Sequence, residues 1–447
     1  MPEGAGRPWN LTQAQEDKLK LLWTLIFKLF DKPIVERTSS WSTAKTHLSS
    51  PTSSDSPADS YQSSFVSYTR SQIDGFLPNS GSDSRGGKSK STGCAERIAS
   101  ITSEWDPEEL RLAFWDAVNC DDPDGLLLRF LRARKWNVEA ALEMFIKTVH
   151  WRSREMNVSD IIYHADHLDK DDDFVRQLRI GKCFIFGEDK KNRPVCYIRA
   201  RLHKVGDVSP ESVERLTVWV METARLILKP PIETATIVFD MTDFSLSNMD
   251  YGPLKFMIKC FEAHYPECLG ECIVHKAPWL FQGVWSIIKS WLDPVVVSKV
   301  KFTRNVKDLQ QYIKADSILK EFGGPNPWKY TYPEPCQNEA EALNNVDERQ
   351  KLKSRKNLIA EEYEEATVDW ILNENPETKQ RRRKLAGQLI ESYWSLDKYI
   401  RARSVYDRMG LIAPKSSHPV YLYQPKSGED ADGIKEPVVG VASEENL

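Results

Sequence analysis

The segment Asp124–Val138, DGLLLRFLRARKWNV, combines a leucine-rich helix face with a dense run of arginines and an aromatic side chain. Guanidinium groups can bind phosphate through paired hydrogen bonds, but an arginine taken singly could equally be solvated. The sequence contains no nucleophile elbow, P-loop, HExxH zinc motif or dinucleotide-binding fingerprint. The absence of these motifs argues against an enzyme.

The composition is that of a globular protein with room for one large domain and appendages, or for two to three small domains. The 447 residues are 40% hydrophobic and 28% charged, with a formal net charge of −4. An acidic balance argues against a nucleic-acid binder, which is usually basic. We find no apolar run long enough to span a bilayer and no secretory leader, so a cytoplasmic protein is expected.

The eight cysteines are scattered and form no CxxC pair. Cys268 and Cys272 lie four residues apart, but no second pair with metal-ligand spacing follows. Reduced thiols, with no metal and no cofactor, are therefore expected. Haem binding would need His264, His275 or Tyr265 as a ligand, and a lone histidine in such a segment is more often structural.

Residues 1–37 are predicted to form an N-terminal amphipathic helix, from Asn10 to Phe30, that ends before Pro33. Its apolar residues recur at helical spacing: Leu19, Leu22, Trp23, Ile26, Phe27 and Phe30. The helix could dock on the body of the protein or lie on a membrane surface. Because its polar side mixes acidic and basic residues, docking is favoured. Residues 38–103 are rich in Ser, Thr, Asp and Gly, which predicts a disordered linker.

Residues 104–160 are predicted to form a helical module, and residues 161–335 an α/β domain with a largely parallel or mixed sheet. The module contains Pro107–Asn119, Asp124–Arg134 and Val138–Arg154. The predicted strands are Cys183–Phe186 and Val195–Ile198, which form a hairpin around EDKKNRP, and Thr234–Met241, Cys272–His275 and Lys299–Thr303. The predicted helices between them are Pro210–Leu228, Leu254–His264 and Phe281–Leu292.

Residues 336–423 are predicted to form a helical C-terminal extension, and residues 424–447 a disordered tail. Charged helical patterns cover Glu339–Asn375 and Thr378–Met409. The run KQRRRK, Lys379–Lys384, is interpreted as a solvated helix face in preference to a contact with anionic lipid.

An ordered set of motifs between Asp106 and Pro335 resembles the CRAL-TRIO lipid-binding family, and most closely the yeast-type phosphatidylinositol/phosphatidylcholine transfer proteins. The motifs are LLRFLRARKW, RPV (Arg193–Val195), TIVFDM, HYPECLGECIVHKAPWLF (His264–Phe281), LDPVVVSKV (Leu292–Val300) and EFGG (Glu321–Gly324). The resemblance implies an α/β fold in which a helical N-terminal module precedes a sheet-floored hydrophobic pocket with a movable gate helix. A serine-rich linker and a C-terminal extension resemble fungal relatives.

The resemblance implies that Arg134, Glu267 and Lys299 hold a phosphatidylinositol headgroup, with Asp189 nearby. A phosphodiester needs fixed cations, and inositol hydroxyls need an acceptor such as a carboxylate. Taken singly, each residue also has an ordinary structural role, and for Asp189 that of a turn aspartate is favoured. Val296 stands where the family carries a threonine, which removes one hydroxyl from the site.

The family's phosphatidylcholine residues are absent from this chain. Ile185, Cys196, Ala235 and Ile237 replace two tyrosines, a serine and a threonine, so a choline phosphate would face carbon. Phe239 and Met241 continue the apolar face of the central strand. A second ligand should therefore be more apolar, such as a sterol or a squalene-like hydrocarbon.

The predicted gate helix is strongly apolar, which suits a cover over acyl chains that engages a membrane when it opens. Its residues are Trp279, Phe281, Trp285, Ile288, Trp291 and Leu292. The expected function is binding of phosphatidylinositol and its exchange between membranes, with transient membrane association. The alternative is a carrier or sensor for a more apolar lipid that regulates phosphoinositide metabolism through the C-terminal extension.

Overall fold

A computed structural model describes residues 5–8, 10–34, 90–166, 172–228 and 230–412. Most of the expected linker, the end of the expected extension and the expected tail lie outside these ranges. Among the described residues, no helix is long and apolar enough to cross a membrane.

The N-terminal helix α1, Gln13–Leu29, begins with a reciprocal cap in which Thr12 and Gln15 bond to each other's backbone N–H. Its apolar side chains are buried against the helical module. The indole Nε1 of Trp23 donates to Asp124, 2.8 Å away. The preference for docking over membrane contact is therefore confirmed.

The helical module consists of α2, Lys90–Thr102; α3, Pro107–Val118; α4, Pro123–Ala133; and α5, Val138–His150, followed by a π-helical turn at Trp151–Glu155. Helix α2 was not expected, because it lies wholly within residues 38–103, which were assigned to a disordered linker. Cys94 and Ile98 are buried in the core, and Arg97 Nε pairs with Glu143 Oε1 at 2.6 Å. Docking on α5, not local sequence, stabilises this helix.

Two short helices, α6 at Val158–His164 and α7 at Asp172–Arg179, lead into a five-stranded sheet in the order β1 to β5. The strands are β1, Cys183–Glu188; β2, Pro194–Arg199; β3, Ala235–Asp240; β4, Leu269–His275; and β5, Val300–Thr303. The first two form the expected antiparallel hairpin, and the other neighbours are parallel. The mixed α/β sheet is confirmed.

The two faces of the sheet have different partners because alternate residues of a strand point to opposite sides. The register row Tyr197, Val238 and Ile273 packs into a dense core with Leu309 and Phe322. The adjacent row points to the other side, where helices cover the sheet. These helices are α8, Pro210–Ile227; α9, Tyr251–Lys259, continued by a π-helical turn at Cys260–His264; α10, Phe281–Trp291; and α11, Pro294–Lys299. A short helix, α12, spans Val306–Leu309.

The C-terminal extension packs into the same body. It consists of α13, Val346–Leu372; α14, Pro376–Ile400; and α15, Val405–Arg408. The basic run is not simply a solvated face. Lys379 pairs with Glu16 at 2.8 Å, and the guanidinium of Arg382 is buried and bonded to Asp124 at 2.8 Å. A buried cation needs a fixed partner, and the extension is held to the module by such pairs.

Candidate lipid-binding site

A cavity of about 290 Å³ lies between the sheet and helices α8, α9 and α10, and its lining is almost entirely apolar. This volume is close to the ~300 Å³ lower end for ligand pockets. Six of the predicted lining residues face it: Cys196, Ala235, Ile237, Phe239, Met241 and Val296. The strand register explains why Cys196 and Ile237 line the same wall, because they and Cys272 are aligned partners on neighbouring strands.

Ile185 was also expected in the lining but is not among the cavity residues. It is 1% exposed, and its backbone N–H donates to the hydroxyl of Tyr406, 3.2 Å away, in the C-terminal extension. The extension therefore fills the space next to this strand position. The sequence pattern of the strand alone could not reveal that partner.

Helix α10 covers one side of the cavity. Phe281, Trp285, Ile288 and Leu292 of the predicted gate line the cavity. Trp279, just before the helix, is 86% exposed. Trp291 points elsewhere and packs edge-on against Tyr251 with a ring-centroid distance of 5.5 Å. The helix thus has an inner apolar face and an exposed tryptophan at its start.

Lys299 contacts the segment that follows Glu267 in the chain. The ammonium of Lys299 donates to the carbonyl of Leu269 at 2.8 Å, two residues after Glu267. Val296 and Val300, on either side of Lys299, line the cavity, as does Leu269. Neither Lys299 nor Glu267 is among the residues that line the cavity, and Glu267 interacts electrostatically with Arg7 and Arg132.

Arg134 lies at a different opening. It ends α4, is exposed, and lines a surface cleft with Lys255, Lys259, Glu262 and Trp291. Within the described ranges its side chain forms no hydrogen bond or ion pair, although its backbone N–H donates to the carbonyl of Phe130 at 3.0 Å. The arrangement places a free guanidinium beside the end of the gate helix, with no direct contact to Glu267 or Lys299.

Asp189 is buried at the β1–β2 turn, with both carboxylate oxygens engaged. It accepts from the backbone N–H groups of Lys191 and Arg193 at 2.8 and 3.0 Å. Its other oxygen accepts from Arg193 Nε at 2.5 Å and from the hydroxyl of Thr236 at 2.7 Å. In this state Asp189 organises the turn, and its part in headgroup binding stays a prediction.

Comparison with known proteins identifies the family. Residues 178–324 match the model of the CRAL/TRIO domain, and residues 98–147 match that of the CRAL/TRIO N-terminal domain. A CRAL-TRIO domain-containing protein of Schizosaccharomyces pombe is 74% identical over 448 residues, covering 99% of each chain. The chain belongs to the CRAL-TRIO family of lipid-binding proteins.

Two further relatives extend the comparison. A phosphatidylinositol transfer protein of Eremothecium gossypii is 38% identical to this CRAL-TRIO protein over 71% of this chain and 74% of its own length. The Sec14 cytosolic factor of S. pombe is 30% identical over 45% of this chain and 74% of its own length. The expected family and fold class are therefore confirmed.

Sequence reasoning missed a second group of charged residues beside Glu267 in this CRAL-TRIO domain. Arg132 donates to the carbonyl of Gly6 at 2.7 Å and to Glu233 at 3.1 Å, and Arg7 also pairs with Glu233. Burial, and next to it the charge of Arg7, lower the pKa of Arg132 to about 9, while Glu267 opposes the shift. The dense arginine run could have indicated Arg132 as a functional residue. No sequence pattern indicated that residues 6 and 7 would join this group.

A buried ionic network lies behind the cavity. Glu222 of α8 accepts from Arg152 at 2.6 Å, from Arg225 at 3.1 Å and from the hydroxyl of Tyr265 at 2.7 Å. Burial raises the pKa of the Glu222 carboxyl, but the two arginines more than offset this and hold it at about 2. This network fixes α8 against the helical module and keeps the wall of the cavity in place.

The histidines named for a haem have structural contacts. His264 stacks on Trp151 with a centroid distance of 4.0 Å, and His275 bonds Thr303 at 2.9 Å. Tyr265 lines the cavity, but its hydroxyl is bonded to Glu222. In the part of the chain that the structure describes, no group of three or more His, Cys, Asp or Glu residues could hold a metal ion.

Proposed function

We propose that this CRAL-TRIO protein binds phosphatidylinositol in its cavity and exchanges it between membranes without covalent chemistry. The observation that carries the proposal is an apolar cavity, covered by α10, with the ammonium of Lys299 bonded to the carbonyl of Leu269, a residue that lines it. Acyl chains would replace water against the apolar wall, which is favourable in proportion to the area buried. The relative named as a phosphatidylinositol transfer protein supports this choice of ligand.

In this proposal the headgroup is held at the edge of the cavity by Lys299 and Glu267. Lys299 gives a point charge for the phosphodiester, and Glu267 accepts hydrogen bonds from inositol hydroxyls. Arg134 joins the site from its separate cleft, where its guanidinium is free of ion pairs within the described residues. Asp189 keeps the adjoining turn in shape, and Val296 supplies a methyl surface in place of a hydroxyl.

Exchange also requires contact with a membrane, and we assign this to the gate side of the protein. The large apolar residues Trp279, Ile287, Val295 and Phe302 are exposed there. Tryptophan is well suited to the bilayer interface, because its ring is apolar and its N–H is polar. The protein would be cytoplasmic and would associate with membranes only while α10 opens.

The proposal is tested by native mass spectrometry of the purified protein and by transfer of labelled phosphatidylinositol between vesicles. Lys299→Ala removes a charged hydrogen bond worth about 1.5–3 kcal/mol, so phosphatidylinositol affinity should fall roughly 10- to 100-fold. Lys301→Ala is the matched control, because its ammonium bonds the carbonyl of Ser298 at the surface. Equal loss in both variants, or none in Lys299→Ala, would contradict the headgroup assignment.

A more apolar ligand is the second candidate, favoured by the cavity wall itself. Cys196, Ala235 and Ile237 present no hydroxyl to the ligand. A sterol or a squalene-like hydrocarbon would need no headgroup cation, so its amount in the purified protein should not change in Lys299→Ala. In that case the protein would act as a sensor or carrier, and the exposed Arg383 and Lys384 of the extension would be the place to test a role in phosphoinositide metabolism.

A further inference from the structure

Arg129 of α4 is a buried cation without a carboxylate partner. Its side chain is 7% exposed, and no ion pair of Arg129 occurs in the described ranges. Its Nη1 donates to the thiol sulfur of Cys268 at 3.0 Å, and its Nε has no hydrogen-bond partner. A buried guanidinium is costly unless an anion balances it.

The surrounding charges leave this cation in excess. Arg152 and Arg225 share Glu222, and Arg225 also pairs with Asp121 at 3.0 Å. Together with Arg129, this group therefore has three guanidinium groups and two carboxylates.

On the other side of Arg129, Arg7 and Arg132 face Glu233 and Glu267, two cations against two anions. The sulfur of Cys268, 3.0 Å from Nη1 of Arg129, is the atom that this excess positive charge contacts.

Cys268 also faces the lipid cavity. It lines the large apolar cavity and also a second, small space that Arg129, Arg152 and His264 line as well. Cys272 lines the same cavity, but burial raises the pKa of its thiol to about 12. Thiolates next to arginine are the reactive form of cysteine, whereas thiols buried among apolar groups are inert.

We propose that Cys268, activated by Arg129, is the reactive thiol of the cavity and adds to α,β-unsaturated aldehyde groups on oxidised acyl chains. This inference rests on the proposed function only in that the cavity admits acyl chains. The sulfur electron pair forms a bond to the β-carbon, the π pair of the double bond moves to the α-carbon, and a solvent proton adds there. No group leaves, and no oxidant is needed.

The test is treatment of the full-length protein at neutral pH with nonenal, an apolar α,β-unsaturated aldehyde. Adducts are localised by fragmentation of the peptide that carries both cysteines. Cys268 should react at least about tenfold faster than Cys272 in the same chain, given their different activation. Equal rates at the two cysteines would overturn the proposal, and this competition needs no variant.

Two further measurements test the roles of Arg129 and of the cavity. Arg129→Met should lower nonenal addition at Cys268 about tenfold and leave Cys272 unchanged, and an unchanged rate at Cys268 would remove Arg129 from the proposal. For each reagent, the rate of labelling at Cys268 is divided by the rate at an exposed thiol. This ratio should be smaller for acrylamide, a polar acceptor, than for nonenal. Preferential labelling by acrylamide would show access from solvent and not through the cavity.

Phosphatidylinositol exchange is measured separately on the unmodified protein. If exchange is absent and Cys268 still reacts selectively, the proposed ligand is wrong and the reactive thiol stands. If exchange occurs and the two cysteines react equally, the reactive thiol is wrong and the proposed function stands.

Discussion

Glu364 of α13 ties the C-terminal extension to the helical module. The side chain of Glu364 is 1% exposed. Its carboxylate accepts hydrogen bonds from Arg111 Nε at 2.7 Å, Trp115 Nε1 at 2.7 Å and Lys32 Nζ at 2.6 Å. Glu364→Gln keeps one acceptor oxygen but turns an amide N–H₂ group towards donors. The buried Arg111 then keeps Glu108, 3.0 Å away, as its nearest partner.

Removing one member of a buried ion pair costs about 3–5 kcal/mol of unfolding free energy. Because Arg111 keeps Glu108 as a partner, we expect a loss near the lower figure, about 3 kcal/mol. Glu361 is a matched control one turn away. It is 53% exposed and lies 3.9 Å from Arg111, so Glu361→Gln should cost at most about 0.5 kcal/mol.

The assay is urea unfolding followed by tryptophan fluorescence, with the midpoint and slope compared between the two variants. Losses within about 0.5 kcal/mol of each other would refute the reasoning, because the carboxylate of Glu364 would then not be a point where the extension is held.

Three other perturbations follow from the structure. The pKa of His264 is lowered to about 3 by burial and by Lys259 and Arg152, so the folded protein favours the neutral imidazole. The stability that this gives is fully present at a pH above the pKa of the unfolded side chain. That stability is lost as the pH falls below about 6.5, by about 2 kcal/mol at pH 5, and His264→Gln should reduce this acid dependence in urea titrations at several pH values. Trp23→Ala should cost about 3–5 kcal/mol in urea unfolding, because it empties a buried site and breaks the bond to Asp124. Gly283→Ala in α10 and Gly387→Ala in α14 meet no atom within 4 Å and should each stabilise their helix by up to about 1 kcal/mol. Only Gly283→Ala should also slow lipid exchange between vesicles.

Each of these has a result that would contradict it. An unchanged pH dependence in His264→Gln would place the acid-sensitive group elsewhere. Lys18→Ala, an exposed change on the same helix as Trp23, should stay within about 0.5 kcal/mol of the wild type, and a loss equal to that of Trp23→Ala would contradict docking as the cause. Equal exchange rates in both glycine variants would exclude local stiffness of α10 as a control on exchange.

Much of the fold was predictable because its strands and helices have strong local patterns. The apolar runs on either side of EDKKNRP predicted β1 and β2, and both are present with the expected antiparallel pairing. Helix α2 was not predicted, because KSTGCAERIASIT has few apolar residues and many that favour turns. Its helix depends on the bond between Arg97 and Glu143 and on the burial of Ile98, and neither contact is visible in a local window.

The candidate site was predictable in part for the same reason. Period-two alternation placed Ala235, Ile237 and Phe239 on one face, and all three line the cavity. Ile185 was misplaced because its neighbour is Tyr406, which is 221 residues away in the sequence. The headgroup residues Arg134, Glu267 and Lys299 came from a family resemblance, and their role in binding stays a prediction.

By itself the sequence determined the kind and order of the elements and which face of each is apolar, because 3.6- and two-residue periods are local properties of the backbone. Only the tertiary structure decided what each face meets. It brought Glu364 to Arg111 across 253 residues and Cys268 to Arg129 across 139. An apolar or charged face can be buried against many partners of similar chemistry, and packing of the whole chain selects one of them.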